Sequence, residues 1–150
     1  MHEQLRDVDD DGLEKAYASK DGTYVLGDTM YIAGTRTIND ALIRWPQIGT
    51  FTTGNTERYQ QAVARLKKSP FVTKLVGHSY GAAVADLLTR RSKTYSARLY
   101  GAARYGTYHP RITSFRHQGD PVSALDFDSY TDKNIQLNPH SFHGYSWMDR

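Results

Sequence analysis

The sequence predicts an α/β domain, a central and mostly parallel sheet flanked by helices. Three observations predict it. Short β-like runs alternate with helical runs through the middle of the chain, the pattern of strands joined by helical crossovers. Ahead of that alternation, two β-like runs flank a Gly-Asp pair, the signature of a hairpin. The composition also suits one ordinary core: 150 residues, 39% hydrophobic and 12% aromatic, with 11 tyrosines and well above the apolar content of a disordered chain.

Taken in order, residues 1–20 are acidic and poor in apolar side chains. They read as a loosely held arm, with a short helix around 13–18, ahead of a domain over 21–150. Thr23-Tyr24-Val25-Leu26 and Thr29-Met30-Tyr31-Ile32-Ala33 are the hairpin strands around Gly27-Asp28. Residues 56–68 form a helix: Tyr59, Val63 and Leu66 recur at helical spacing, Lys67 and Lys68 suit its negative end, and Pro70 stops it. Phe71-Val72-Thr73-Lys74-Leu75-Val76 is a strand running into Gly77. Residues 80–91 form a second helix with Ala83, Val84, Leu87 and Leu88 on one face. Ala97-Arg98-Leu99-Tyr100, Ile112-Thr113-Ser114-Phe115 and Asn134-Ile135-Gln136-Leu137 complete the strands.

Composition narrows the function classes. The chain has no cysteine, which removes disulfides, thiolate zinc sites and a cysteine nucleophile. No apolar run is long enough for a transmembrane helix, and the first residues lack a signal-peptide core. A cytoplasmic protein, or part of a particle, is the expectation. The net charge of +3 and pI of about 9.1 are mild. No nucleic-acid partner is expected, while an anionic lipid surface is permitted; Lys67-Lys68 and Arg90-Arg91-Lys93 are the basic clusters, each at a helix end. Asp7-Val8-Asp9-Asp10-Asp11-Gly12 matches the opening of a calcium loop, but the twelfth position, which needs glutamate, is Ala18. His140 and His143 have the spacing of a metal pair without a convincing neighbouring carboxylate. No metal and no cofactor are expected.

The informative stretch is Val76-Gly77-His78-Ser79-Tyr80-Gly81-Ala82-Ala83, a Gly-x-Ser-x-Gly between a strand and a helix. Lifting a serine hydroxyl above a sheet there demands a sharp backbone turn, and strand and helix then cross so closely that only Gly77 and Gly81 fit beside it. A serine hydroxyl is a weak nucleophile and needs a base oriented by a carboxylate, in the chain order Ser, acid, His. Asp120 follows the 112–115 strand and precedes Pro121, at the strand end where sites of open α/β sheets collect. Asp126 and Asp128 stand in reserve, and Asp86 lies in the helix after the serine. His143, in a late loop of small and aromatic residues, is the base, with His140 as its rival. The Tyr80 amide and the amide and hydroxyl of Thr35 are the oxyanion donors.

Five stretches, the 76–83 elbow among them, resemble, in order, the class 3 (fungal-type) lipases of the α/β-hydrolase fold. Ile32-Ala33-Gly34-Thr35 is similar to that family's Phe-Arg-Gly-Thr, and residues 76–83 to its Gly-His-Ser-Leu-Gly-Gly elbow. Tyr100-Gly101-Ala102-Ala103-Arg104-Tyr105-Gly106 is similar to its Phe-Gly-x-Pro-Arg-Val-Gly, and Gly119-Asp120-Pro121-Val122-Ser123 to its Asp-Pro-Val-Pro. His143-Gly144-Tyr145-Ser146-Trp147 resembles its histidine followed by an aromatic pair. Ala33, Ala82 and Ala103 depart from the arginine, glycine and proline usual there. The resemblance implies a minimal α/β-hydrolase-like domain that cleaves carboxylic esters through an acyl-enzyme, with Ser79, Asp120 and His143 as triad and Thr35 with Tyr80 at the oxyanion. It also puts a lid over about 36–50, carrying Ile38, Leu42, Ile43, Trp45 and Ile48, and favours His143 over His140. The chain is shorter than typical members, which shifts the expected substrate from long-chain triacylglycerol toward a small ester or a phospholipid met at a lipid surface. A lipase-like fold kept as a binding or structural module is the alternative, and a thioesterase or peptidase would use the same triad.

Overall fold

A computed structural model describes residues 2–34, 57–104, 106–120, 123–132 and 142. The chain order is α1 (His2–Ala18), β1 (Thr23–Leu26), β2 (Thr29–Ile32), α2 (Glu57–Lys68), β3 (Lys74–His78), α3 (Tyr80–Arg90), β4 (Ser96–Tyr100), β5 (Ile112–His117) and β6 (Tyr130–Asp132). The six strands of the described residues pair in that order. β1 and β2 form an antiparallel hairpin, Leu26 opposite Thr29, and every later pair is parallel. The α/β class expected from the sequence is therefore present.

Period-2 alternation sorts the strand residues onto two covered faces. Met30, Ile32, Leu75 and Leu99 pack with Ala62 and Leu66 of α2 and Val84, Ala85 and Leu88 of α3. Tyr31, Ala33, Val76, Tyr100 and Phe115 point the other way and pack with Leu13 and Ala16 of α1. Helices thus cover both faces, which is why all four residues of β2 are buried.

The expectation of a loose, acidic, solvated N-terminal arm is overturned. Residues His2–Ala18 form one 17-residue helix, against the short helix expected near its end. Its buried stripe is Asp9, Gly12, Leu13 and Ala16, at helical spacing. Two of those four positions are not apolar, so a hydrophobic pattern does not reveal the stripe. Gly12 is needed because a Cβ there would strike the Tyr31 ring. Asp9 is only 1% exposed, and Arg98 Nε and Nη2 donate to its two oxygens at 2.9 Å each while the Tyr100 hydroxyl donates at 2.6 Å. A buried carboxylate is tolerable only when paired in this way. The calcium-loop match over residues 7–12 is accordingly a stretch of helix, and the described residues contain no cluster of three or more metal-ligating side chains.

Smaller differences have local causes. β3 begins at Lys74 rather than Phe71, because Phe71 lies in a turn with its ring exposed and the chain joins the ladder only where Thr73 and Lys74 donate to the Asp28 carbonyl. β6 at Tyr130–Asp132 is absent from the sequence reading, being three residues long. The strand expected at 134–137 lies outside the described residues. No described helix is long and apolar enough to cross a membrane.

Candidate functional site

β3 delivers Ser79 to the carboxyl edge of the sheet, and α3 begins at the next residue. Ser79 has φ 59° and ψ −123°, and it is the one non-glycine residue with positive φ among the described residues. Such a conformation costs a side-chain-bearing residue about 1–3 kcal/mol and persists only where the surroundings over-determine it. The constraints are visible. The Ser79 N–H donates to Tyr100 O at 3.1 Å and the Ala103 N–H donates to Ser79 O at 3.2 Å, tying the turn to β4 and the loop after it. Ala82 N–H and Ala83 N–H also donate to Ser79 O, starting α3.

The glycines expected to flank the serine are needed for the reason given by the motif. A Cβ on Gly77 would lie 2.5 Å from Gly81 O and 2.6 Å from the Ala82 Cα. A Cβ on Gly81 would overlap the carbonyls of Ile32 and Ala33 at the end of β2. α3 therefore rides directly against β3 on one side and β2 on the other, which aims its first amides at the space beside Ser79. Tyr80 is the first residue of α3, where intrahelical acceptors run out and the helix dipole presents about half a positive charge.

Gly34, two residues past β2, closes the other side. A Cβ there would lie 2.8 Å from both Ser79 Cβ and His78 O and 3.0 Å from Tyr80 N. Only glycine lets this backbone pass over the serine and the Tyr80 amide. Its carbonyl accepts from Arg58 Nη2 at 3.3 Å. Ser79 is 0% exposed, and its hydroxyl has no hydrogen-bond partner among the described residues.

Asp120 lies three residues beyond the end of β5, as the sequence reading expects. It is 1% exposed, follows Gly119 at φ 85°, and its Oδ2 accepts from Ser123 Oγ at 2.6 Å. β3 and β5 are separated only by β4, so Ser79 and Asp120 leave the same sheet edge from strands about 10 Å apart, a gap one imidazole and its two hydrogen bonds can span. The reserve aspartates are engaged elsewhere. Arg104, 1% exposed, pairs with Asp86 at 2.7 Å and Asp126 at 3.0 Å, and reaches Asp128 at 3.9 Å. Burial raises the Asp126 carboxyl above its usual range, the charge and hydrogen bonds of Arg104 and Ser114 acting against it. These three acids form one ion cluster around the buried Arg104.

Thr35, His140, His143 and the lid residues Ile38, Leu42, Ile43, Trp45 and Ile48 lie outside the described residues. Phe142 is described, and its ring packs edge-on against His78 at 5.2 Å between centroids. The chain one position before His143 therefore meets the residue one position before Ser79. The same His78 accepts, or donates, a 2.5 Å hydrogen bond between its Nδ1 and the Tyr17 hydroxyl. Sequence reasoning misses Tyr17, because it sits in the segment read as an arm. Its spacing of four from Leu13 is the one signal that could find it.

The basic cluster at the end of α3 is partly engaged within the fold: Arg90 with Asp86 and Thr107 O, Arg91 with the Tyr59 hydroxyl and ring. Two open clefts, one lined by Tyr108, Ile112, Phe127 and Tyr130 and one by Asp21, Tyr24, Gln61 and Arg65, do not include Ser79. No family model matches the chain, and no curated protein or solved structure matches it significantly.

Proposed function

We propose that the chain is a serine hydrolase of carboxylic esters, on an α/β-hydrolase-like scaffold resembling the class 3 lipases. One observation carries the reading: Ser79 is held at φ 59° and ψ −123° between a strand and a helix, where a merely structural serine would relax. The glycine contacts on both sides support it, as does the placement of Asp120 at the same sheet edge.

In this mechanism His143 takes the proton of the Ser79 hydroxyl as its oxygen attacks the ester carbonyl. Asp120 orients the imidazole and stabilises its charged form. The oxyanion is met by the amides of Tyr80 and Thr35, the latter following the Gly34 that clears the approach. Collapse expels the alcohol with the proton returned by His143, and a water attacks the acyl-enzyme by the same steps in reverse to release the acid. No cofactor takes part. The substrate is a small ester or a lipid ester met at a surface.

The test is labelling by a fluorophosphonate together with turnover of short-chain nitrophenyl esters, each compared with Ser79→Ala. Labelling and turnover that vanish in the variant are expected. An intact protein that neither labels nor hydrolyses any ester would instead make this fold a non-catalytic binding module.

A further inference from the structure

We propose that Tyr17, on α1, is a positioning residue for the serine centre: it ties together His78 beside the nucleophile, Gly34 on the oxyanion side and Phe142 ahead of the base. The inference rests on the hydrolase reading above. Its grounds are geometric. The Tyr17 hydroxyl and His78 Nδ1 are 2.5 Å apart, and the Gly34 peptide lies close enough to the same phenol to act against the effect of its burial. The Tyr17 ring stacks on Phe142, with centroids 5.7 Å apart and planes 8° from parallel, and meets the His78 ring edge-on at 5.8 Å. One side chain from an N-terminal helix thus touches three segments that reach the site from far apart in the chain.

Burial holds the phenol protonated well above its usual range, so the Tyr17 hydroxyl keeps a proton that it can share with His78 Nδ1. The Tyr17 phenol restrains the His78 ring through this bond, with the Gly34 peptide beside the same oxygen. Since a Cβ on Gly34 would stand 2.8 Å from Ser79 Cβ and 3.0 Å from Tyr80 N, a small shift of that peptide changes the space in which an oxyanion forms. Tyr17 touches no reacting atom in this scheme. It acts through the backbone it holds.

Tyr17→Phe in the full chain keeps the ring stack and removes only the bridge. The readouts are 4-nitrophenyl butyrate kinetics, the rate of fluorophosphonate labelling, and inhibition by an alkyl boronic acid that mimics the tetrahedral intermediate. A displaced oxyanion strand should lower kcat by about 10- to 100-fold with little change in KM, and weaken boronate binding in proportion. Unchanged kcat and boronate affinity, or a loss confined to KM, in a variant of an active wild type overturns the positioning role and leaves the hydrolase reading standing. A wild type that neither labels nor turns over overturns both. Should Tyr17→Phe fail to fold, the bond is cut from its other end: His78→Leu removes the acceptor, whereas the Oδ1 of His78→Asn can still accept. The proposal requires the asparagine variant to lose at least about fivefold less kcat than the leucine variant, and equal losses refute it.

Discussion

Replacing Ser79 by glycine and by alanine separates backbone strain from side-chain chemistry. Alanine keeps the Cβ and therefore the cost of φ 59°, while it removes a buried hydroxyl with no partner among the described residues. That removal should stabilise by about 1 kcal/mol. Glycine also removes the hydroxyl and relieves strain of about 1–3 kcal/mol. Against this stand a greater loss of chain entropy, about 0.5–1 kcal/mol, and the contacts of one Cβ packed against Gly34. Ser79→Gly should therefore match or exceed Ser79→Ala, by up to about 2 kcal/mol, and both should exceed the wild type. At an ordinary position the order of the two variants is reversed. For a chain of 150 residues each kcal/mol moves Tm by about 2–4 °C, so calorimetry with urea titration resolves the order. Ser79→Gly less stable than Ser79→Ala by about 1 kcal/mol would refute the claim that this residue stores strain.

Other perturbations test the supports of the site. Gly81→Ala, which in an exposed helix interior stabilises by up to about 1 kcal/mol, should here destabilise by about 1–3 kcal/mol in urea, because its Cβ overlaps the Ile32 and Ala33 carbonyls. Arg104→Met should cost about 3–5 kcal/mol by leaving Asp126 as a buried acid without its cation, Asp86 keeping Arg90, and near-neutral stability would show that Asp126 protonates or resolvates cheaply. Burial raises the phenols of Tyr17, Tyr31 and Tyr100, Tyr31 to about 12; a raised folded pKa keeps its stability below the ordinary value of 10.0 and loses it as pH rises from there. Urea midpoints should thus hold to about pH 10 and fall steeply beyond it, and Tyr31→Phe should flatten that fall. Because Ser79 is 0% exposed, sub-denaturing detergent should speed its fluorophosphonate labelling, and equal rates with and without detergent would show that the hydroxyl is already open in solution.

Short-range patterns along the chain already specified the strand–helix alternation from β3 to β5, the hairpin, and the turn at Ser79. Each is written in neighbouring residues: a run of β-formers, a Gly-Asp pair, two glycines at fixed distance from a serine. The position of Asp120 was legible for the same reason, since a glycine before it and a proline after it set a turn at a strand's end. What α1 does was not legible. Its buried stripe contains an aspartate and a glycine, and both become intelligible only when Arg98, Tyr100 and the Tyr31 ring are brought against them from other strands. The shared partner of Asp86, Asp126 and Asp128 was likewise a tertiary matter, because Arg104 gathers them into a cluster that no spacing along the chain announces. Local conformational preference is encoded within a few residues, whereas the partner that makes a buried charge or a phenol useful lies anywhere along the chain. Tyr17, 61 positions from the histidine it holds, is the clearest case.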